Sequence, residues 1–347
     1  MKNLLDYKNF IGCDVSKNTL DFAIFKNGVR YKQFEHNQVT NDNAGYKELL
    51  KWLREKKVDV KTAVIAFEHT GAYSTPLAEW LHAKGITFVM LHPIDVKAYC
   101  NRGRNKTDEV DSKLIAEYVY TMREQLEPSK PEPQVIKTLR ALKNERKLYV
   151  EQRAALVTAI KIVSNKQITK RTEAIIAEYT KRIKEVENQI KKTIESDESI
   201  SKNYSLLLSI KGIGMINAVT TIIATGNFTR FKNARQYAKF CSVMPLTRQS
   251  GTSVRGGVHV SKMGHKEIKA TLTEAARSSI LCDGDIASYY QRKRDEGKSY
   301  GVVMNAVKFK LICRMFSVIK RQEPYVDIAG FWTSTSKQIA ASREKIL

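Results

Sequence analysis

The first 126 residues alternate between two spacings of hydrophobic positions. Three runs with strand spacing come first, parted by turn-forming residues: NFIGCDV, LDFAIF and VRYKQFEH. Helical spacing follows over residues 42–57, 74–84 and 107–124, with the apolar runs AVIAF and ITFVML between these segments. The order βββαβαβα predicts a mixed sheet covered by helices, because an antiparallel meander is followed by strands that alternate with helices.

Three prolines and several charges interrupt this periodicity at residues 126–134, LEPSKPEPQ, and predict a domain boundary there. Beyond it, apolar positions follow alternating steps of four and three, which predicts two long coiled-coil-like helices over residues 134–200. Arg146 and Arg153 lie on the same seam, so the seam is not a continuous dry interface. The spacing leaves open whether these helices pair within the chain or with another subunit.

Residues 201–330 have mostly helical patterning and predict a third, helical domain, and the polar residues 331–347 are expected to form a peripheral tail. In this part Gly212-Ile213-Gly214 separates two apolar helical stretches. Such a turn is typical of a helix-hairpin-helix, whose backbone N–H groups approach a DNA phosphate. The end of one helix followed by the start of another gives the same letters.

Charge changes the picture, because the 347 residues include 59 Lys and Arg against 36 Asp and Glu, a net charge of +23. Such a field attracts polyanions, so nucleic acid is the expected partner. The five cysteines are scattered singly without metal-ligand spacing, which predicts a reduced, cytoplasmic protein without a zinc site. We expect neither secretion nor membrane spanning, because the start has no long apolar segment and no run of about 18 apolar residues occurs.

Four carboxylates are placed where the predicted elements converge. Asp14 lies in the first strand, Glu68 ends the fourth, and Asp108 and Asp111 begin the helix after the fifth. Residues three apart share a helix face, so one helix presents both aspartates to the same point. Four clustered acids would repel unless divalent cations lay between them, which predicts a Mg²⁺ or Mn²⁺ site suited to phosphodiester chemistry. The alternative is that Asp108 and Asp111 complement the helix dipole after a Thr107 cap.

The loop NRGRNKTD supports the same chemistry, because Arg102, Arg104 and Lys106 would stand beside the acids where a phosphate must lie. A solvated run of charges is the alternative interpretation. A second candidate is the polar, glycine-bearing stretch at residues 243–268, in which Ser250 is surrounded by basic residues: Arg248, Arg255, His259 and Lys262. These would offset phosphate charge and accept the hydroxyl proton of a serine nucleophile. A flexible surface loop is the alternative there.

The element order with its acids resembles the ribonuclease-H-like fold of RuvC-type nucleases and transposases. The motifs IGCDVSK, FEHTGAY, KTDEVDSKLIA, SIKGIG and MPLTRQSG…SKMGHKEI, in that order, resemble the insertion sequence 110 transposases, the bridge-RNA-guided recombinases related to the Piv invertase. The resemblance implies that Asp14, Glu68, Asp108 and Asp111 are the DEDD metal-binding acids of a RuvC-like domain, residues 1–126, and that Ser250 is the nucleophile. The chain departs from the family pattern at Lys211, Ser242 and Lys269.

The resemblance further implies that Ser250 attacks a DNA phosphodiester and becomes joined to the 5′ phosphate. Target and donor DNA would be selected by a non-coding bridge RNA, and a dimer or tetramer would assemble the active site between subunits. Two alternatives remain at this point. The first is a metal-dependent nuclease of the Holliday-junction-resolvase type, in which water is the nucleophile. The second is a nucleic-acid-binding protein without catalytic activity.

Overall fold

A computed structural model describes residues 4–26, 33–69, 71, 73–91, 96, 99, 107–250, 254–260 and 264–326. The chain divides into two compact units, Met1–Pro131 and Glu132–Leu347. The division falls inside the proline-rich segment LEPSKPEPQ. The long helices and the helices beyond residue 201 therefore belong to one unit.

The N-terminal unit is built on a five-stranded sheet. Its strands are β1 (Asn9–Val15), β2 (Thr19–Lys26), β3 (Gln33–Thr40), β4 (Ala63–Glu68) and β5 (Thr87–Leu91). The strand order is β3-β2-β1-β4-β5; β1 pairs antiparallel with β2 and parallel with β4. The predicted mixed sheet is thereby confirmed. The third strand was predicted over residues 29–36, whereas β3 begins at Gln33 and pairs with β2 as far as Thr40; residues 27–32 lie outside the described residues.

Helices pack on both faces of this sheet. They are α1 (Asn43–Glu55), α2 (Thr75–Ala83) and α3 (Asp108–Thr121). Alternation along β1 divides the core: Ile11 and Cys13 pack with buried residues of α1 and α2, while Phe10 packs with the buried face of α3. Side chains at even positions of β1 therefore lie on the α3 face. Asp14 is one of these positions.

The second unit begins with two long helices, α4 (Gln134–Ala159) and α5 (Lys166–Glu195), which pack against each other within the chain. The seam arginines have polar partners in this pairing. Arg146 lies 2.7 Å from Glu187, and Arg153 donates a 3.4 Å hydrogen bond to the hydroxyl of Thr180. The two long helices therefore pair with each other within the chain, a choice that the heptad spacing left open.

The rest of this unit is mostly helical, as predicted. Its helices are α6 (Glu198–Leu208), α7 (Met215–Thr225), α8 (Ala234–Phe240), α9 (Lys266–Cys282), α10 (Gly284–Asp295) and α11 (Tyr300–Arg321). They share one core with the N-terminal part of α4 and the C-terminal part of α5, where Leu139 and Ile190 are buried. This unit also contains a hairpin of two strands, β6 (Pro245–Ser250) and β7 (Val254–Val260), which was not predicted from the sequence. In the described ranges, no helix has the length and apolar character needed to cross a membrane.

Candidate functional site

Strand register brings Asp14 and Glu68 to the same level of the sheet. Cys13 pairs with Phe67 across the parallel β1–β4 ladder, and the two acids are the next residue on each strand. Side chains alternate between faces, so both acids lie on the α3 side of the sheet. The pairing therefore gathers two of the four predicted acids at one sheet edge.

Helix α3 approaches β1 through a glycine contact. A Cβ atom on Gly12 would lie 2.0 Å from the carbonyl oxygen of Ser112 and 2.4 Å from the amide nitrogen of Ala116. Real side chains do not tolerate such distances, so only glycine allows the helix backbone this close to the strand. This contact fixes the position of α3 beside Asp14, which is two residues along β1.

The first turn of α3 carries the other two acids. Thr107 caps the helix, because its hydroxyl accepts a 3.2 Å hydrogen bond from the amide of Val110. Asp108 and Asp111 follow in the first turn, where carboxylates complement the helix dipole. The capped helix start is thus real, and it coexists with the placement of both acids near the sheet edge.

The electrostatics of Asp14 show that the four acids converge. Burial raises the pKa of the Asp14 carboxyl from 3.8 to about 6, and the negative charges of Asp108, Asp111, Asp21 and Glu68 add to the rise in that order. The other three acids selected from the sequence therefore all lie near enough to Asp14 to raise its pKa. A cation near Asp14 would relieve this repulsion.

The donor set consists of carboxylate oxygens, which Mg²⁺ and Mn²⁺ prefer. Within the described ranges, however, no three His, Cys, Asp or Glu side chains lie close enough together to hold a metal ion as they stand. The donor chemistry therefore fits a divalent cation, and the carboxylates would have to draw closer to bind one. A hard divalent cation is the group to which this donor set is suited.

A polar cluster that was not predicted from the sequence lies beside these acids. Asp21 lies opposite Asp14 in the β1–β2 pairing and is 4% exposed. Its carboxylate lies 2.9 Å from Nε2 of His36 and accepts a 3.0 Å hydrogen bond from Nε2 of Gln38. His36 also contributes, after Lys113, to the lowered pKa of Glu109 in α3. The signal was the β1–β2 register, which sets Asp21 opposite Asp14 across a short turn.

The glycines of the Gly212-Ile213-Gly214 turn have different surroundings. Gly212 has φ +87°, and a Cβ there would lie 2.6 Å from the amide nitrogen of Ser279 in α9. Gly214 precedes α7 as its N-cap, and a Cβ atom on it would have no neighbouring atom within 4 Å. Gly212 therefore serves packing against α9, while Gly214 faces open space.

The serine candidate lies at the end of β6. Ser250 pairs with Val254 and Arg248 pairs with Gly256 in the β6–β7 hairpin, and Gln249 pairs with Arg255. The structure describes only the backbone of these residues. Arg102, Arg104, Lys106 and Lys262 lie outside the described residues. The acids and the serine belong to different compact units.

Comparison with known proteins identifies the class of protein to which the chain belongs. A family model described as a transposase matches residues 11–163, and a model of the IS116/IS110/IS902 transposase family matches residues 204–291. The chain belongs to the IS110 family of transposases, and it is therefore a DNA transposase or recombinase. The family membership indicated by the sequence motifs is confirmed.

Relatives extend over nearly the whole chain. The pilin gene-inverting protein of Moraxella bovis is 26% identical over 323 residues, which is 92% of this chain and 98% of that protein. The insertion element IS110 uncharacterized 43.6 kDa protein of Streptomyces coelicolor is 26% identical over 115 residues, 33% of this chain and 28% of that protein. The Thermus thermophilus RuvC structure covers 34% of this chain and 98% of its own, with 11% identity and a TM-score of 0.26. The strand order β3-β2-β1-β4-β5 itself defines the mixed sheet.

Proposed function

We propose that this transposase cuts and rejoins DNA through a covalent bond between Ser250 and a 5′ phosphate, with Asp14, Glu68, Asp108 and Asp111 as its metal-binding acids. The observation that carries the proposal is the placement of the other three acids around Asp14: strand register sets Glu68 at its level, and the Gly12 contact holds α3 beside it. Burial first, and then the charges of these acids and of Asp21, raise the Asp14 pKa to about 6. Clustered carboxylates destabilise the folded protein unless a cation is bound, and such clusters are typical of functional sites. The nucleophile is proposed from the motif that contains Ser250.

The cutting step exchanges one ester bond for another. The hydroxyl oxygen of Ser250 bonds to phosphorus, and the bond from phosphorus to the 3′ oxygen of the DNA breaks. A carboxylate of the acid set accepts the serine proton, and the departing 3′ oxygen takes up a proton. The rejoining step is the reverse, in which a 3′ hydroxyl of the exchanged strand displaces the serine. No ATP is required because the phosphoserine ester preserves the bond energy.

Asp14 and Glu68 on the sheet, with Asp108 and Asp111 on α3, are the residues that would hold Mg²⁺ or Mn²⁺. A bound divalent cation supplies Lewis-acid polarisation of the phosphate. The chain itself positions the four carboxylates through the β1–β4 register and the Gly12 contact with α3. Asp21, which is held by His36 and Gln38 of β3, lies opposite Asp14 on β2.

We propose a homo-oligomer, a dimer or tetramer, that assembles the site from two subunits. The serine and the acids lie in different units of one chain. Large apolar side chains are also exposed toward the connected ends of α4 and α5, where a second copy would cover them: Leu148, Val157, Ile162, Ile168 and Ile175. An apolar surface of this kind supports self-association.

Two nucleic acids are proposed as partners, double-stranded DNA and a bridge RNA that pairs with target and donor. The net charge of +23 supports contact with several phosphate backbones. Proposed contacts come from three places in the chain: Arg102, Arg104 and Lys106 beside the acids; Gly212 and Gly214 in the turn; and Arg248, Arg255 and Lys262 near the serine. Base pairing would then specify sequence while the protein binds backbone and shape.

Trapping of protein–DNA adducts tests the chemistry. Wild-type protein with supercoiled donor and target DNA is expected to give an adduct resistant to denaturant, and Ser250→Ala is expected to give none. Ser253→Ala is the matched control, because it removes a neighbouring hydroxyl from the same stretch and is expected to keep the adduct. Free 5′-phosphate ends without an adduct would instead support a nuclease that uses water.

The guide is tested by sequencing the RNA that copurifies with the protein. We expect one structured species, encoded next to the transposase gene, and recombination that stops after ribonuclease treatment and returns when that RNA is added. Recombination at full rate without RNA would contradict this part of the proposal. It would leave the serine chemistry untouched.

A further inference from the structure

A groove opens in the second unit where helices α4, α7 and α9 meet. Its volume is about 240 Å³, many times the roughly 10 to 15 Å³ that one water molecule needs. Helix α7 contributes Ile216 to its lining, and α9 contributes Glu267. Three cations that share one face of α4 line it as well: Lys143, Arg146 and Lys147. The groove therefore has a basic side.

Two of these cations converge on one oxygen atom. Nζ of Lys143 lies 3.0 Å from Oε1 of Glu267, and Nζ of Lys147 lies 3.8 Å from the same oxygen. Arg146, the third cation, lies 2.7 Å from Glu187 of α5. The two ammonium groups on α4 therefore define a position at which an anionic oxygen is bound, and in this structure the oxygen comes from α9.

The carboxylate at this position is more exposed than the lysine it contacts most closely. The side chain of Glu267 is 42% exposed, whereas that of Lys143 is 11% exposed. Lys147 is 49% exposed and also lies 3.9 Å from the exposed carboxylate of Glu151. Exposed ion pairs contribute little to stability, because water and salt screen the attraction. Glu267 can therefore leave the groove at little cost, and both Nζ atoms can then bind another anion.

A purely structural contact between α4 and α9 would need only one lysine. The second ammonium group repels the first, and the single carboxylate oxygen reaches it only at 3.8 Å. A phosphate diester has two unesterified oxygens that share a full negative charge, so it can accept a hydrogen bond from each ammonium group. Ile216 lies in the first turn of α7, so the dipole of this helix adds to the attraction for an anion in the groove.

We propose that Lys143 and Lys147 bind a backbone phosphate of a nucleic-acid strand, and that Glu267 occupies the phosphate position until the strand enters the groove. The carboxylate then moves into solvent, and the phosphate takes over both ammonium groups. Glu267 thus acts as a gate that weakens binding, since each strand must displace it. The inference rests on the proposed binding of nucleic acid and does not depend on the serine chemistry.

The affinity of the full-length protein for nucleic acid tests the gate, with a random-sequence DNA duplex and an RNA duplex of equal length as probes. Glu267→Gln keeps the size of the side chain and removes its charge, so it is expected to tighten binding of at least one probe about fivefold. Glu274→Gln is the matched control, because Glu274 is an exposed carboxylate of α9 that pairs at 2.9 Å with Arg277. It changes the net charge equally and is expected to alter binding less than about twofold. Tighter binding of DNA alone, or of RNA alone, identifies the strand that enters the groove.

Removal of a lysine charge is expected to have the opposite effect. Lys147→Met should weaken binding of the same probe about tenfold and reduce the slope of log K against log salt by about 1. Lys184→Met is the control, because Lys184 is exposed on the neighbouring helix α5, and it should bind within about twofold of wild type. In the Lys147→Met background, Glu267→Gln should tighten binding less than it does in wild type, because one of the two ammonium groups is gone.

Thermal unfolding without nucleic acid separates binding from folding. If the contact is merely structural, Glu267→Gln unfolds at a lower temperature than wild type and binds both probes as wild type does, which would overturn the gate. Equal affinities of Glu267→Gln and Glu274→Gln, or of Lys147→Met and Lys184→Met, would overturn it as well. Failure of the serine chemistry is a separate outcome. If Ser250 forms no adduct but Glu267→Gln still tightens binding, the proposed mechanism is wrong and the phosphate site stands.

Discussion

Gly12 and Ser112 are in such close contact that a Cβ atom on the glycine would lie 2.0 Å from the serine carbonyl oxygen. This contact joins β1 to α3, the two elements that carry Asp14, Asp108 and Asp111. Displacement of α3 by a single methyl group would therefore move two carboxylates relative to the third. The geometry of the candidate metal site depends on a residue with no side chain.

Gly12→Ala is expected to lower the free energy of unfolding by about 3 kcal/mol, because the methyl group clashes with helix backbone that has no room to rotate away. We also expect loss of Mn²⁺ binding by the folded variant, because α3 must shift. Urea unfolding and calorimetric Mn²⁺ titration measure the two effects. Gly301→Ala is the control: no atom lies within 4 Å of its Cβ position, and it is expected to be neutral or stabilising. Equal behaviour of both variants would contradict the close contact.

The two glycines of the turn before α7 are expected to differ in the same manner. Gly212→Ala combines a left-handed φ of +87° with a 2.6 Å approach to the Ser279 amide nitrogen, and should cost about 2 to 5 kcal/mol. Gly214→Ala faces open space at φ −94° and should cost less than about 1 kcal/mol. Chemical denaturation compares them. A larger loss for Gly214→Ala would show that the turn packs otherwise.

Much of the acid set was predictable because each acid is defined by a local pattern. Asp14 and Glu68 belong to strand-like runs, and Asp108 follows a threonine with capping chemistry, so element order alone places them at one edge. The positions of Asp21 and His36 could be predicted only from the residue-by-residue register of β1, β2 and β3. A shift of one residue in the strand register would have moved Asp21 to the other face of the sheet. Hydrophobic periodicity alone does not determine the register that closely.

The hairpin β6–β7 and the pairing of the long helices show a different limit. The segment around Ser250 is polar with several glycines, so its strand character comes from pairing with its neighbour rather than from an apolar face. Heptad spacing in α4 and α5 is equally satisfied by a partner within the chain or outside it. The contact between Arg146 and Glu187, 41 positions apart, resolves that choice only in three dimensions.

Stability should depend on pH through Asp14. Its pKa is raised from 3.8 to about 6 in the folded protein, so between these values the folded state binds more protons than the unfolded state. Stability therefore falls as pH rises through this interval and stays lower above it. Asp14→Asn removes the effect and should be more stable than wild type at pH 7 by about 1 to 2 kcal/mol, allowing for solvent screening.

Urea unfolding of both proteins from pH 3.5 to 8 measures this difference, which should vanish at the acid end. Addition of Mg²⁺ should narrow it at pH 7, because only the wild type gains a ligand for its carboxylates. A stability difference that does not change with pH would show that neither burial nor the neighbouring charges raise the Asp14 pKa in the folded protein.

The neighbouring acids raise the Asp14 pKa by unequal amounts. Asp108 raises the Asp14 pKa more than Glu68 does, so Asp108→Asn should lower that pKa further than Glu68→Gln, although each removes one negative charge. Carbon-13 NMR of aspartate-labelled protein follows the Asp14 carboxyl through its titration. Asp42→Asn is the control, because Asp42 caps α1 and is not among the charges that act on Asp14. A larger shift with Glu68→Gln would mean that α3 does not bring Asp108 to the sheet edge. A comparable shift with Asp42→Asn would mean that the Asp14 pKa does not respond selectively to the acids around it.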